Sequence, residues 1–285
     1  MLSALFASVL TGAAEPGDRA TILLVVGAPG EAEYGTNFAQ WAAMWERASR
    51  DGGAKFVSIG LTATNSLTDL AQLKGTLSDE ARESAAELWL VLIGHGTFDG
   101  KEAKFNLRGP DLSATDLAEW LKPFRRPLAV INCASSSGPF VADPQADLDK
   151  DGQTSLLEAF LMASRRVAEF YESAGRLATE HALLDDNGDG LGTPADWFRG
   201  IRAVKKARED ALADGLRAHQ FHMVRSEQER RLSPEVRAKR DELELGIARL
   251  REAKSGLKED DYYQRLENLL TGLAKLYEQD TSKPQ

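Results

Sequence analysis

Apolar runs and amphipathic stretches alternate along the first half of the chain. Residues 21–27 (TILLVVG) form an apolar run bounded by Gly27 and Pro29, the pattern of a parallel strand buried on both faces. Residues 36–50 place Phe38, Trp41, Trp45 and Ala48 three or four apart, which predicts an amphipathic helix. KFVSIG (55–60) reads as a second strand, residues 66–80 as helical or mixed, and LWLVLIG (88–94) as a third strand. Residues 105–124 give a short strand, a turn at Gly109-Pro110 and a helix. Ser113 suits the N-cap of that helix, with Asp116 three residues on. PLAVINC (127–133) is the fourth core strand. Strand and helix alternation predicts an α/β fold with a mostly parallel central sheet flanked by helices.

Beyond residue 140 the pattern changes. Residues 156–181 are apolar and helical, and the chain past 197 reads as helical and highly charged. Leu266, Leu269, Leu270, Leu273 and Leu276 lie on one stripe of residues 265–279. Residues 236–253 are a less regular partner, with a turn near Ser255-Gly256, so two antiparallel helices are expected. They pack back on the body, pair with another subunit in self-association, or carry a surface for another partner. The last residues, DTSKPQ, suit a frayed end. The expected organisation is an α/β domain over 20–200 and a charged helical extension over 201–285.

Composition narrows the partners. The net charge of −9 over 285 residues, with no sustained basic stripe, argues against nucleic acid. No apolar run approaches the roughly 20 residues that span a bilayer. Residues 2–10 (LSALFASVL) are apolar and are followed by Gly12, Ala13 and Ala14, so residues 1–14 read as a signal peptide without its basic flank. That reading places the protein in the periplasm or outside the cell. If the segment is retained, the protein is cytoplasmic.

Two of these strands stop on reactive side chains. LWLVLIGHG delivers His95 and then Gly96; PLAVINC delivers Cys133, the only cysteine. The carboxyl ends of parallel strands open into one crevice where ligands bind. A histidine and a cysteine meeting there can act as base and nucleophile. The alternative for Cys133 is a small buried hydrophobe. A lone cysteine excludes an intramolecular disulfide.

Residues 147–158 read DLDKDGQTSLLE. Asp147, Asp149 and Asp151 alternate, Gly152 follows, Gln153 offers a main-chain carbonyl, and Glu158 closes a twelve-residue window. This is the oxygen-donor pattern of a calcium loop. Residues 185–196 (DDNGDGLGTPAD) repeat it with Asp185, Asn187, Asp189, the Leu191 carbonyl and Asp196. Asp reaches less far than Glu, and Pro194 is unusual there, so the second loop is the weaker. The alternative is two Asp-rich turns without metal. Three crowded carboxylates repel one another, which favours Ca²⁺. Pro139 and Pro144 leave little room for a helix entering the first loop, so the loops read as grafted onto the domain rather than as a regulatory EF-hand pair.

A strand ending in His-Gly, followed by a strand ending in Cys and small residues, resembles the caspase–legumain superfamily of cysteine peptidases. The segment GAPGEAEYGTNFAQWAAMW (27–45) is most similar to the legumain branch. The resemblance covers roughly residues 20–140 and leaves the acidic loops and the helical tail outside it. It implies a caspase-like sandwich and hydrolysis of a protein or peptide substrate by a Cys–His dyad. Cys133 would attack the scissile carbonyl, with His95 as acid and then base. The N–H groups of Gly96 and Cys133 would hold the oxyanion. Ala134, Ser135 and Ser136 would leave room for the substrate chain, and calcium would be structural. The legumain branch selects Asn through an Arg after the first-turn aromatic. Gly35 follows Tyr34 here, and Glu31, Glu33 and Asp99 offer an acidic pocket for Arg or Lys instead. Two other readings stand beside the endopeptidase: a catalytically inactive binding or scaffold module on a peptidase fold, and an unrelated α/β hydrolase or transferase in which His95 and Cys133 are incidental.

Overall fold

The computed structural model describes residues 19–62, 67–98, 100–133, 147–178, 181–208 and 211–281. The expected signal segment, Asp99, the small residues after Cys133 and the tail past 281 lie outside the described residues.

The chain opens with β1 (Thr21–Val26), α1 (Ala32–Asp51), β2 (Lys55–Ile59), α2 (Asp69–Asp79) and β3 (Leu88–Ile93). Helix α1 begins earlier than its apolar periodicity suggests, because Glu31 starts it without a side-chain cap. Thr68 caps α2 by accepting the Ala71 N–H. Three short strands follow as an antiparallel sheet: β4 (Gly96–Phe98), β5 (Ala103–Phe105) and β6 (Leu112–Ser113). Ser113 then caps α3 (Ala114–Leu121) through the Asp116 N–H, as its spacing predicts. β7 (Leu128–Cys133) completes the main sheet.

That sheet is four-stranded and all parallel, in the order β2-β1-β3-β7. All of β1 and β3 is buried, because helices cover both faces. On one face Ile22, Leu24, Trp89 and Val91 pack with Phe38, Ala42 and Trp45 of α1. On the other, Leu23, Val25, Leu90 and Leu92 pack with Leu73 and Leu77 of α2, and with Leu117 and Trp120 of α3. The strand order reverses between β1 and β3, so the crevice outside their carboxyl ends is where an α/β sheet takes ligands. Glycine is required there: a Cβ on Gly27 would sit 2.4 Å from the Asn106 carbonyl oxygen, and one on Gly94 would sit 3.1 Å from the Gly27 Cα.

The amino ends of the strands are clamped by a buried carboxylate. Glu80 binds Lys55 Nζ at 2.5 Å, accepts from the Thr21 hydroxyl at 3.1 Å and meets Arg126 Nη1 at 3.4 Å. Arg126 also donates to the carbonyls of Ala86 and Glu87.

The second half is less regular than its apolar pattern suggests. Helix α4 (Leu156–Ser173) begins at a capping box between Ser155 and Glu158 and ends before 181. β8 (Leu183–Leu184) and β9 (Thr193–Pro194) pair across the second acidic loop, and β10 (Phe198–Arg199) and β11 (Arg202–Ala203) form a hairpin. Residues 198–203 are thus strand where helix was expected. Helices α5 (Leu216–Gln220), α6 (Glu227–Arg231), α7 (Pro234–Glu252) and α8 (Glu259–Thr281) follow. Phe221, Met223 and Val224 pack into the same core as α1 and the sheet. The body therefore continues past the boundary expected at residue 200, and the helical hairpin α7–α8 follows it. Gly246 faces Leu269 and Gly272 faces Leu243, the register of antiparallel helices. No described helix is long and apolar enough to cross a membrane.

Candidate active site and acidic loops

Cys133 is the last residue of β7, and its register partner on β3 is Ile93. His95 follows two residues later. The two candidate residues therefore stand at the carboxyl ends of adjacent parallel strands, which lie about 4.8 Å apart in a sheet. They also share a face. Cys133 packs with Val91, Ile93 and Phe38. The His95 ring lies 5.4 Å from Phe38 and edge-on to Tyr34 at 4.8 Å, both on α1.

The histidine is fixed by a third group. His95 Nε2 lies 3.2 Å from the Pro29 carbonyl oxygen, just past the end of β1. A carbonyl only accepts, so in the neutral ring the proton sits on Nε2 and the lone pair on Nδ1. Gly96 is the first residue of β4, opposite Phe105. Cys133 is buried, at 2% exposure. Glu31 and Glu33 are exposed around the start of α1.

The acidic loops share one backbone design. In the first, Asp147 accepts from the N–H groups of Lys150 at 2.7 Å and Gly152 at 3.2 Å. Asp149 accepts from Asp151, and Asp151 from Gln153. In the second, Asp185 accepts from Gly188 at 2.8 Å and Gly190 at 3.0 Å. Asn187 accepts from Asp189, and Asp189 from Leu191. Positive φ falls at the fourth and sixth positions of both loops: 65° and 84° at Lys150 and Gly152, 77° and 74° at Gly188 and Gly190. One carboxylate oxygen from each of Asp147, Asp149 and Asp151 lies within 4.8 Å of the others. Burial, then the charges of Asp151 and Glu158, push the Asp149 carboxyl above its ordinary range.

The closing carboxylate differs between the loops. In the first, fully buried Glu158 accepts from the N–H of Leu148, at position two, and the hydroxyl of Ser155, at position nine. In the second, Asp196 is exposed on a 3₁₀ turn (Ala195–Trp197). The contacts that Glu158 makes in the first loop are made in the second by Asp214. Buried Asp214 accepts from the N–H of Asp186, at position two, and from the hydroxyl of Thr193, at position nine, the latter at 2.5 Å. Burial raises the Asp214 carboxyl, and the nearby charges of Asp186 and Asp185 raise it further. The sequence window had no means of finding Asp214, which lies 28 residues from Asp186.

The loops are joined by α5 and not by paired strands. Asp186 accepts from the N–H groups of Gly215, Arg217 and Ala218 at the start of α5. His219, on the same short helix, reaches Asp149 of the first loop at 3.2 Å. No family model, curated protein or solved structure matches the chain.

Proposed function

We propose that the chain is a cysteine endopeptidase with a caspase-like arrangement of its α/β body. The observation that carries this reading is the placement of Cys133 and His95 on neighbouring strand ends and one face, with the Pro29 carbonyl holding the His95 tautomer. In the reaction, His95 Nδ1 takes the Cys133 thiol proton as the sulfur attacks the peptide carbonyl. The tetrahedral intermediate expels the amine, which receives that proton from His95, and a thioester remains. Water, deprotonated by His95, then cleaves the thioester and restores the thiol. The N–H groups of Gly96 and Cys133 are the oxyanion donors in this reading.

The acidic loops complete the proposal. The donor set is all oxygen and fits a hard cation. Asp147, Asp149, Asp151, the Gln153 carbonyl and Glu158 would hold Ca²⁺ in the first loop. Asp185, Asn187, Asp189, the Leu191 carbonyl and Asp214 would hold it in the second. Calcium would supply structural charge neutralisation, not chemistry. The resemblance to cysteine peptidases supports a protein or peptide as the substrate in this reading.

One observation favours a second reading. The Cys133 side chain is buried in the core cluster, and peptide hydrolysis requires the sulfur to become accessible. A buried, inert Cys133 would make the protein a binding module on this fold. Treating the folded chain with a peptide bearing a thiol-directed electrophile separates the two. The peptidase reading expects a covalent adduct on Cys133, seen by mass spectrometry, that is absent in Cys133→Ala and slowed in His95→Ala. A thiol that is labelled only after unfolding would support the binding module.

A further inference from the structure

A cavity of about 200 Å³ lies at the opposite end of the sheet, where the helical extension meets the body. Its walls come from the amino ends of β3 and β7 (Glu87, Pro127), from α5 and the segment after it (Arg217, His222, Arg225), and from α7 (Arg237, Arg240). Four arginines and four carboxylates line this small space, but they are not matched one to one. Glu87 pairs with Arg225, Glu229 and Asp241 both pair with Arg240, and Glu242 pairs with Lys239. Each lining carboxylate thus already holds a cation. Arg217 and Arg237 form no direct ion pair among the described residues, although Glu87 and Glu229 lie near enough to Arg237 to favour its charge. Arg237 gives Nη1 to the main-chain oxygens of Glu229 and Leu232, which leaves its other N–H groups to spare. Arg225 stands close enough to help depress the Arg237 guanidinium, after the larger effect of burial. Pro234, at the first turn of the nineteen-residue α7, also lines the cavity, so the positive end of that helix opens there.

A second unmet group narrows the ligand. His222 Nδ1 lies 3.3 Å from the Gln220 carbonyl oxygen. Nδ1 therefore carries the proton, and Nε2 is an acceptor. Nε2 is buried and has no hydrogen-bond partner. Excess guanidinium donors and one buried acceptor call for a ligand with anionic oxygens and a hydroxyl.

We propose that this cavity binds a small oxyanion that retains a hydroxyl, hydrogen phosphate or a compact monoprotonated phosphomonoester, held by Arg217 and Arg237 with its hydroxyl donated to His222. Such a ligand would join α7 to the sheet and stabilise the attachment of the helical extension. Arginine suits this role because its planar donors match phosphate oxygens.

The test is thermal unfolding of the full chain in phosphate, sulfate and chloride at constant ionic strength and neutral pH. Constant ionic strength removes general screening from the comparison. Phosphate should raise Tm saturably and more than sulfate, which carries no proton, and chloride should leave Tm unchanged. Arg237→Gln should weaken the phosphate midpoint about tenfold or more. That substitution also loses contacts to two carbonyls, so Arg217→Gln, at an exposed position, provides a second variant and should weaken binding in the same direction. Arg251→Gln, exposed on α7, should bind as the parent does. The site is overturned by the absence of a saturable phosphate response, or by an unchanged response in both Arg237→Gln and Arg217→Gln. Equal responses to phosphate and sulfate would overturn the part assigned to His222. A free-phosphate site would take phosphate at a lower midpoint than a small phosphomonoester, which is bulkier and has mostly lost its hydroxyl at neutral pH. A site built for the ester would prefer the ester.

Discussion

His95 gives its Nε2–H to the main-chain oxygen of Pro29, 3.2 Å away, so a carbonyl past the end of β1 sets the tautomer of a residue past the end of β3. These are the two strands between which the sheet order reverses. The crevice that topology reserves for ligands thus contains an oriented imidazole.

If the dyad works, His95→Ala should lower peptide hydrolysis by about 10²–10⁴-fold, the usual contribution of a positioned acid–base group. Tyr34→Ala removes the ring that meets His95 edge-on and leaves the imidazole chemistry in place. It should lower kcat less than His95→Ala does. Steady-state kinetics on a peptide substrate checks both. A Tyr34→Ala effect confined to KM would place Tyr34 in substrate binding instead.

Glu80 is 6% exposed, and its partner Arg126 is 2% exposed at the side chain. Glu80→Ala would leave that guanidinium buried without its counter-charge, and truncating one partner of a buried pair costs about 3–5 kcal/mol. Replacing Glu80 and Arg126 together by Leu and Met should cost less than Glu80→Ala alone. Urea unfolding of the three chains measures this. A Glu80→Ala loss within the range of an exposed pair, about 0–1 kcal/mol, would show that the clamp does not hold the strand starts.

Most of this frame was legible in the sequence. β1 and β3 announce themselves because strands covered on both faces need unbroken apolar runs; β7, at the sheet edge with Val130 and Asn132 exposed, is legible from its β-branched residues. Ser113 and Asp116 announce α3 because a cap is local. Two-residue strands such as β6 and β8 are too short to carry an alternation, so the small sheets were missed. The contacts of Asp214 with the second loop were hidden for a different reason. A twelve-residue window assumes that the closing carboxylate is local, whereas Asp214 arrives through the fold. The sequence left Cys133 open between a reactive thiol and a small buried hydrophobe, since a strand-end position says nothing about what packs over it.

Burial depresses the His222 pKa below 6.5. Above 6.5 the ring is neutral in both folded and unfolded chains and has no effect on the pH dependence. As pH falls through 6.5, the unfolded chain takes a proton that the folded chain resists, so stability is lost from about 6.5 downward. Asp151 and Glu229 face the ring and oppose this effect, and His219 adds to it. Tm should therefore fall between pH 7.5 and 5.5 more steeply in the parent than in His222→Gln. Parallel Tm–pH profiles of the two chains would rule this out.

The final expectation separates two carboxylates in the second acidic loop. Asp214 touches the N–H at position two and the hydroxyl at position nine, as Glu158 does in the first loop. Asp196 is exposed on the turn that follows. Burial and the charges of Asp186 and Asp185 disfavour an ionised Asp214, and a bound cation would relieve that cost. In calcium titration calorimetry, Asp214→Asn should therefore lose the second site while Asp196→Asn keeps it. Glu158→Gln should lose the first site while retaining an amide oxygen for the capping box. Because Asp186 accepts three N–H groups of the α5 start and His219 on α5 reaches Asp149, loss of either site should weaken the other. Chelator should lower Tm in the parent and much less in Asp214→Asn combined with Glu158→Gln. Calcium uptake that survives Asp214→Asn and fails in Asp196→Asn would return the closing role to Asp196. Uptake absent from the parent would leave both loops as hydrogen-bonded turns.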